Sequence, residues 1–182
     1  MNLTNSKLHY GAVPQLIHWL TGLFVIAAWL IGQFGDDLPK SMHEPAMLVH
    51  MTVGQCVAAL LIARLAWRFI DPPPPLEPTR FGRLGEFAAR LSHFALYGLL
   101  IAVPLVGIFV QLKRGHALPI FGIWPWDSPW PADRPVAGLA LRVHEYLADT
   151  LLILAGLHAL AAIIHHAFLH DRTLLRMLPR AT

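Results

Sequence analysis

Charge and cysteine are both scarce in this sequence. Charged residues make up only 14% of the 182 residues, well below the share of about a quarter found in soluble domains, whereas apolar residues make up 55%. The formal net charge of +3 is too small and too dispersed to indicate a nucleic-acid-binding protein. Cys56 is the only cysteine, which excludes an intrachain disulfide, and there is no Cys-x-x-Cys-His motif for covalent haem attachment.

The apolar residues are concentrated in four stretches without charge, each 18 to 22 residues long. The hydrocarbon core of a bilayer is about 30 Å thick, and about 20 helical residues are needed to cross it. With their flanks, the stretches predict membrane spans over residues 14–34, 46–69, 91–112 and 136–169. We therefore expect an all-α membrane protein in which residues 1–182 form a single four-helix bundle. The first stretch is too long for the apolar part of a cleaved signal peptide.

Lysine and arginine predict the orientation of this bundle, since cytoplasmic flanks carry an excess of both. Nine of these residues fall on the side of the two termini: Lys7, Arg64, Arg68, Arg80, Arg83, Arg90, Arg172, Arg176 and Arg180. Five fall on the other side: Lys40, Lys113, Arg114, Arg134 and Arg142. Both termini are therefore expected to be cytoplasmic.

The loops between the spans differ in composition. The first is expected to run from Gly35 to Pro45. Asp71 is followed by four prolines, which predicts a stiff polyproline loop, and residues 80–90 are expected to form a short interfacial helix before the third span. In the segment Ile123–Pro131, prolines separate three tryptophans, so neither a helix nor a strand is expected. This segment is interpreted either as an aromatic membrane anchor or as a lid over a cofactor.

Eleven histidines are present, and six fall inside the predicted spans: His18, His50, His93, His144, His158 and His165. The last three are separated by fourteen and seven residues. These intervals nearly close whole turns of an α-helix, so the three side chains share one face. At about 1.5 Å per residue, His144 and His158 lie about 21 Å apart along the axis. One imidazole therefore lies near each edge of the hydrocarbon core.

Grouped by depth, the histidines form an outer and an inner set. The outer set contains only His50 and His144, whereas in the inner set His18, His93 or both lie opposite His158. For any one histidine, the ordinary interpretation is a hydrogen-bonded polar residue inside a helix bundle. Pairs at two depths instead favour two bis-histidine haems, because zinc sites usually recruit three or four ligands that include carboxylates or thiolates.

Other residues near these depths have two interpretations each. Gly54 lies one turn after His50, where the absent side chain lets a flat macrocycle approach the backbone. Arg64, at the inner end of the second span, either reaches out to lipid phosphates or pairs with a haem propionate. Basic residues around the outer loop either keep it solvated or draw a small anion to the outer site: Lys113, Arg114, His116, Arg134 and Arg142.

Motifs along nearly the whole chain resemble the bacterial cytochrome b561 family. They are Ile17-His18-Trp19, His50 with Thr52-Val53-Gly54, Arg64-Leu65, His144-Glu145, Gly156-Leu157-His158-Ala159, His165-His166 and the run Thr173–Arg180. The resemblance implies that His50 with His144, and His18 with His158, each hold a b-type haem, which assigns the inner pair to His18 rather than His93. It also implies a multi-pass protein of the bacterial cytoplasmic membrane, in contact with its lipids.

Within that family, the chain is most similar to the four-helix proteins described as superoxide:ubiquinone oxidoreductases, or superoxide oxidases. The resemblance implies that superoxide is oxidised at the outer face, beside Lys113, Arg114 and Arg134, and that ubiquinone is reduced near the inner haem. His165 matches the quinone-site histidine of the family. Gln15 lies where a small hydroxyl residue is expected near the quinone, so Gln15 is expected to supply a hydrogen bond there.

Two other functions would use the same histidines. One is a cytochrome b membrane subunit that passes electrons between a dehydrogenase or hydrogenase partner protein and quinone. The other is a non-redox protein that binds or transports a metal or free haem. Two low-spin b haems that can be reduced and reoxidised in the purified protein would exclude the second function.

Overall fold

The computed structural model describes residues 2–75, 77 and 81–179. Over this part of the chain, four long helices follow one another: α1 (Ala12–Phe34), α2 (Lys40–Ile70), α3 (Gly82–Lys113) and α4 (Arg134–Ala167). Each is long and apolar enough to cross a membrane, so the predicted all-α architecture with four such helices is confirmed. Arg80 and Arg180, two of the cations used to predict the orientation, lie outside the described residues.

The four helices form a closed ring in which each packs against two others. The pairs α1–α2 and α3–α4 share the largest contacts, and smaller contacts between α2 and α3 and between α1 and α4 close the ring. Four buried apolar residues lie at its centre: Val57, Leu61, Leu100 and Leu151. Large apolar side chains such as Leu23 and Phe94 are exposed on the outside, as expected of helices whose outer faces contact lipid.

The two ends of the ring are closed by different segments. At one end, here called the terminal end, the N-terminal segment 2–11 packs against the C-terminal segment 168–179. The Tyr10 N–H donates to the carbonyl of Arg176 at 3.3 Å, and the buried side chain of Arg176 donates to Glu77 at 3.2 Å. At the other end, here called the hairpin end, two short strands connect α3 to α4.

All four helices begin before the predicted spans, and the difference is largest for α2 and α3. Helix α2 starts at Lys40, so the loop expected to reach Pro45 is shorter, and Pro45 lies in the second turn, where its missing N–H removes one backbone hydrogen bond. Helix α3 starts at Gly82, so the prediction of a separate interfacial helix is wrong, and residues 82–90 form the first turns of α3. These turns are polar, with an exposed pair between Glu86 and Arg90 at 3.6 Å. The sequence changes from polar to apolar after these turns, but the helix continues without a break.

The hairpin consists of β1 (Leu118–Ile120) and β2 (Trp124–Trp126), which pair antiparallel with one proline opposite the other. The prediction that the tryptophan and proline segment forms no strand is therefore wrong for β2. Both strands of a two-stranded hairpin are edge strands, where proline is tolerated because its missing N–H faces away from the partner. Gln55 of α2 holds the hairpin: its Nε2 donates to the Pro119 carbonyl at 2.8 Å, and its Oε1 accepts from the Phe121 N–H at 2.9 Å.

Candidate functional site

His50 of α2 and His144 of α4 face each other near the hairpin end. Their ring centroids are 6.1 Å apart, and the ring planes are inclined at 81°. The Nδ1–H of His50 donates to the Ala28 carbonyl at 2.9 Å, and that of His144 donates to the Val103 carbonyl at 3.0 Å. Because a carbonyl oxygen only accepts, each neutral ring keeps its proton on Nδ1 and its lone pair on Nε2. This is the tautomer that binds a metal ion through Nε2.

A glycine lies behind each of these two rings. A Cβ atom at Gly32 would be 3.0 Å from Cε1 of His50, and one at Gly107 would be 2.9 Å from Cε1 of His144. Any larger residue would push the ring away, so these glycines let the imidazoles pack directly against α1 and α3. Sequence reasoning missed this role, because a glycine inside an apolar span carries no sign of which side chain will pack against it.

Both rings line a half-open apolar cavity of about 70 Å³. Its other lining residues include Val25, Trp29, Gly54, Val57, Leu100 and Leu151. A Cβ atom at Gly54 would meet nothing within 4 Å, so the cavity reaches the backbone there. Bonds from imidazole nitrogen to a metal are about 2 Å long, which places two nitrogens on opposite sides of one ion about 4 Å apart and the ring centroids further apart. His50 and His144 therefore fit a flat apolar group with a central metal ion bound from both sides.

Near the terminal end, His158 of α4 lies between two other histidines. Its ring centroid is 6.3 Å from that of His18 in α1 and 5.5 Å from that of His93 in α3. The structure thus brings together His18 and His158, the pair that the resemblance implies. It also brings His93 to the same place. Ring distance therefore does not decide whether His18 or His93 is the partner of His158, and neither did the spacing of the histidines in the sequence.

Arg64 of α2 distinguishes His18 from the histidines of the other pair. Its Nη1 donates to Nδ1 of His18 at 3.2 Å, and since a guanidinium cannot accept a hydrogen bond, a neutral His18 carries its proton on Nε2. The guanidinium carbon also lies 5.6 Å from the ring centre of Tyr97, a cation–π distance. Arg64 therefore points at an inner histidine and an aromatic ring rather than outward to lipid phosphates. For Nε2 of His18 to bind a metal ion, Arg64 needs a different acceptor.

His165 lies in the last turn of α4 and contacts an acid that sequence reasoning missed. Its Nδ1 donates to Oδ2 of Asp171 at 2.5 Å. Burial raises the pKa of the Asp171 carboxyl, but hydrogen bonds from the Thr173 N–H and from His165 outweigh this and leave the pKa below its usual value. Asp171 follows the end of the helix by four residues, and no sequence pattern shows that the chain turns back there.

Gln15 is buried, and its amide nitrogen is already engaged. The Nε2 group donates to the carbonyls of Tyr10 at 3.0 Å and Leu178 at 3.2 Å, with that of Arg176 at 3.4 Å. Its Oε1 is buried and has no hydrogen-bond partner among the residues that the structure describes. The N–H groups of Gln15 therefore cannot donate to a quinone without releasing the C-terminal segment. Its Oε1 atom is available to accept a hydrogen bond.

The three predicted cations of the outer loop lie together at the hairpin end. The ammonium of Lys113 is 5.4 Å from the ring centre of Trp130, within the range of a cation–π contact. The Asp133 N–H donates to the carbonyl of Lys113 at 2.8 Å. This bond connects the end of α3 to the residue before α4. It thereby places Lys113 and Arg114 near Arg134.

The hairpin tryptophans are exposed and do not line the cavity beside His50 and His144. Trp124 is 71% exposed and Trp126 is 50% exposed. Among the described residues that line the cavity, none belongs to the hairpin. The structure therefore favours the aromatic membrane anchor over the lid.

Four apolar helices with paired imidazoles inside the ring define a membrane protein of the b-type cytochrome class, and comparisons with known proteins give its family. A family model described as prokaryotic cytochrome b561 matches residues 9–180. Over 172 residues, the chain is 34% identical to the probable superoxide oxidase CybB of Yersinia pestis, covering 94% of this chain and 96% of that protein. Over 187 residues, it is 29% identical to cytochrome b561 homolog 2 of Escherichia coli (strain K12), covering 100% and 97%. Over 175 residues, it is 26% identical to a cytochrome b562 of Cereibacter sphaeroides, covering 93% and 94%.

The chain belongs to the prokaryotic cytochrome b561 family. The resemblance stated from the motifs is thereby confirmed. The protein is a b-type cytochrome that transfers electrons, and its four apolar helices make it a multi-pass membrane protein. Membership implies binding of b-type haem, and the cavity with its facing imidazoles shows that the chain has residues that fit this group.

Proposed function

We propose that the chain is a two-haem superoxide:ubiquinone oxidoreductase of the bacterial cytoplasmic membrane. The observation that carries the proposal is the pairing of imidazoles at two levels, His50 with His144 near the hairpin end and His18 with His158 near the terminal end. The excess of basic residues on the side of the termini supports a cytoplasmic terminal end and a periplasmic hairpin end. Residues 1–182 act as one membrane domain.

Each pair of histidines holds one b-type haem in this proposal. His50 and His144 would bind it through Nε2, since backbone carbonyls fix their Nδ1 protons. Arg64, which now donates to Nδ1 of His18, would instead pair with a haem propionate, since a guanidinium is well suited to a carboxylate, and His18 and His158 would hold this second haem. When bound, the two haems supply a path for single electrons and hold the two electrons that a quinone needs.

Superoxide is oxidised at the periplasmic hairpin end. Each superoxide anion loses one electron and becomes dioxygen, with no proton transferred and no bond broken. Lys113, Arg114 and Arg134 attract the anion and raise its rate of arrival, and Trp130 holds the ammonium of Lys113 at this rim. The similarity to a probable superoxide oxidase over nearly the full length of both proteins supports this donor.

Ubiquinone is reduced near the terminal end. Its conversion to ubiquinol takes two electrons and two protons, so two superoxide anions are oxidised for each quinone. His165 lies seven residues beyond His158, which is about 10 Å further along α4, and it hydrogen-bonds a quinone oxygen and donates a proton to it. Oε1 of Gln15 only accepts hydrogen bonds, so it suits the O–H group of the ubiquinol product rather than the carbonyl of the quinone.

The alternative is a membrane subunit that receives its electrons from a dehydrogenase or hydrogenase partner protein. It would use the same haem ligands and the same quinone residues, and it differs in the donor. Near full-length similarity to a protein named for superoxide favours superoxide as the donor. Membership of a cytochrome family argues against a non-redox carrier of metal or haem.

The test is anaerobic addition of potassium superoxide to the purified, oxidised holoprotein, followed at the haem absorption bands. We expect superoxide to reduce both haems and a soluble ubiquinone analogue to reoxidise them. Superoxide dismutase added beforehand is the control and should prevent the reduction. Haems that dithionite reduces but superoxide does not would overturn superoxide as the donor and favour the subunit function. Reduced haems that the quinone leaves unchanged would overturn ubiquinone as the acceptor.

A further inference from the structure

The chain turns back after α4 and places an acid against His165. Helix α4 ends at Ala167, and His170 then adopts a left-handed conformation with φ of 55°, which is uncommon for a residue other than glycine. After this reversal, the Asp171 N–H donates to the carbonyl of His165 at 3.1 Å. The Thr173 N–H donates to Oδ1 of Asp171 at 2.9 Å. One hydrogen bond thus holds the backbone of Asp171 and another holds its carboxylate.

The second carboxylate oxygen binds the histidine ring. Oδ2 of Asp171 lies 2.5 Å from Nδ1 of His165, and only 14% and 21% of the two side chains is exposed. Since an ionised carboxylate only accepts, Nδ1 keeps its proton and Nε2 is the nitrogen left for a substrate. A carboxylate in this place holds an imidazole in one tautomer and one orientation, and it stabilises the imidazolium that forms during proton transfer.

We propose that Asp171 is a positioning residue for the protons delivered to ubiquinone, and that it acts through His165. This inference rests on the proposed function, because it requires a quinone beside His165. In each proton transfer, the Nε2–H bond of protonated His165 breaks and an O–H bond forms on the quinone oxygen, while the electrons come from the reduced haems. The ring remains neutral with Nδ1–H on Asp171, and a proton from cytoplasmic water restores it. Two such transfers supply both protons of ubiquinol.

The neighbouring histidines lack this arrangement. Within the part of the chain that the structure describes, neither His166 nor His170 has a carboxylate at ion-pair distance, whereas His165 does. A relay through interchangeable histidines would not require a fixed acid at one of them. His166, which follows His165 directly, therefore serves as a matched control.

The kinetic test compares the wild-type holoprotein with Asp171→Asn, Asp171→Glu and His166→Gln. Asparagine keeps an acceptor for the Thr173 N–H but has no charge, and glutamate restores the charge. The haems are reduced with dithionite, excess reductant is removed, and a soluble ubiquinone analogue is added in a stopped-flow instrument, so superoxide plays no part. At saturating quinone, we expect Asp171→Asn to reoxidise roughly 10- to 100-fold more slowly, below the effect of about 10²–10⁴ for loss of an acid or base itself.

The other variants separate positioning from a general loss of structure. The quinone concentration that gives half the maximal rate should stay unchanged in Asp171→Asn, because the variant alters proton delivery and not binding. Asp171→Glu should recover most of the rate, and His166→Gln should match the wild type. Equal rates in Asp171→Asn and the wild type, or no recovery in Asp171→Glu, would overturn the positioning role.

A second measurement does not depend on turnover. Proton NMR of the reduced holoprotein, labelled with ¹⁵N-histidine, reports the Nδ1 proton of His165, which is identified by its loss in His165→Gln. We expect a far-downfield signal in the wild type that disappears in Asp171→Asn. Its absence from the wild type would overturn the histidine–aspartate pair itself. Its presence in a wild-type protein that quinone cannot reoxidise would overturn the proposed function, and with it the role of Asp171 in quinone reduction, while confirming the pair.

Discussion

A Cβ atom at Gly107 would lie 2.9 Å from Cε1 and 3.3 Å from Nδ1 of His144, so α3 passes this histidine too closely for a side chain. One turn earlier on α3, the carbonyl of Val103 accepts a hydrogen bond from the same ring at 3.0 Å. Helix α3 therefore fixes His144 in two ways, by an acceptor and by a missing side chain. If His144 binds a haem, α3 controls that site without contributing a ligand.

The first prediction concerns Gly107→Ala. The added methyl group displaces the His144 ring, so we expect this variant to lose most of the haem at the hairpin end and to keep the other. Pyridine haemochrome assays, expressed per chain, should fall from two haems to about one, as they should in His144→Ala. Gly98→Ala in the same helix is the control, because a Cβ atom there meets nothing within 4 Å. Full haem content in Gly107→Ala would show that the ring is not held where it binds iron.

The second prediction separates the two candidate partners of His158. His18→Ala should remove the haem near the terminal end, whereas His93→Ala should retain both haems, since the resemblance assigns the ligand to His18. The structure makes this a demanding comparison, because the His93 ring is the nearer one, at 5.5 Å against 6.3 Å. Haem counting and the reduced absorption spectrum of each variant decide it. Loss of a haem in His93→Ala with retention in His18→Ala would reverse the assignment.

The features of the fold that could be predicted are those that need no knowledge of neighbouring helices. An uncharged run of membrane length predicts a span from its own composition, and four such runs predicted the four helices. Helical rise converts sequence separation into depth, so the levels of His50, His144 and His158 followed from their positions. The start of α3 at Gly82 was missed because polarity marks the membrane boundary and not the end of a helix.

The features that could not be predicted depend on contacts between elements. The close approach at Gly32 depends on how α1 crosses α2, which a periodic pattern does not reveal. Asp171 reaches His165 because His170 adopts a left-handed backbone conformation. Histidine has no strong preference for this conformation, so the sequence does not predict the turn. The sequence also does not reveal that carbonyls of both terminal segments accept hydrogen bonds from the amide nitrogen of Gln15.

The third prediction concerns the cations of the hairpin end. The double charge reversal Lys113→Glu with Arg114→Glu should slow haem reduction by superoxide at low ionic strength and flatten its dependence on salt. Attraction of an anion to a positive surface acts over about 10 Å at 0.1 M salt and weakens as salt rises. Stopped-flow rates at low and high salt measure this. Arg83→Glu with Arg90→Glu makes the same change in net charge at the other end and should leave the rate unchanged. If the Lys113 and Arg114 variant is reduced by superoxide at the wild-type rate at low salt, these residues only keep the loop solvated.

The last prediction concerns His165→Ala. His165 lies about 10 Å beyond His158 along α4, too far to bind the same iron, and its Nδ1 is held by Asp171. The variant should therefore keep both haems and their reduction by superoxide, yet pass electrons to a ubiquinone analogue more slowly. Loss of a general acid typically slows a reaction about 10²–10⁴-fold, and we expect the lower end of that range because His166 or water substitutes in part.

Three measurements on His165→Ala distinguish the outcomes: haem content, superoxide-driven reduction and quinone-driven reoxidation. His166→Ala is the matched control, since it removes an imidazole from the same turn, and it should behave as the wild type in all three. Wild-type reoxidation of His165→Ala would remove His165 from the quinone site. Loss of the haem near the terminal end would instead show that His165 supports the fold around that haem, because a residue that only serves the quinone leaves the haem in place.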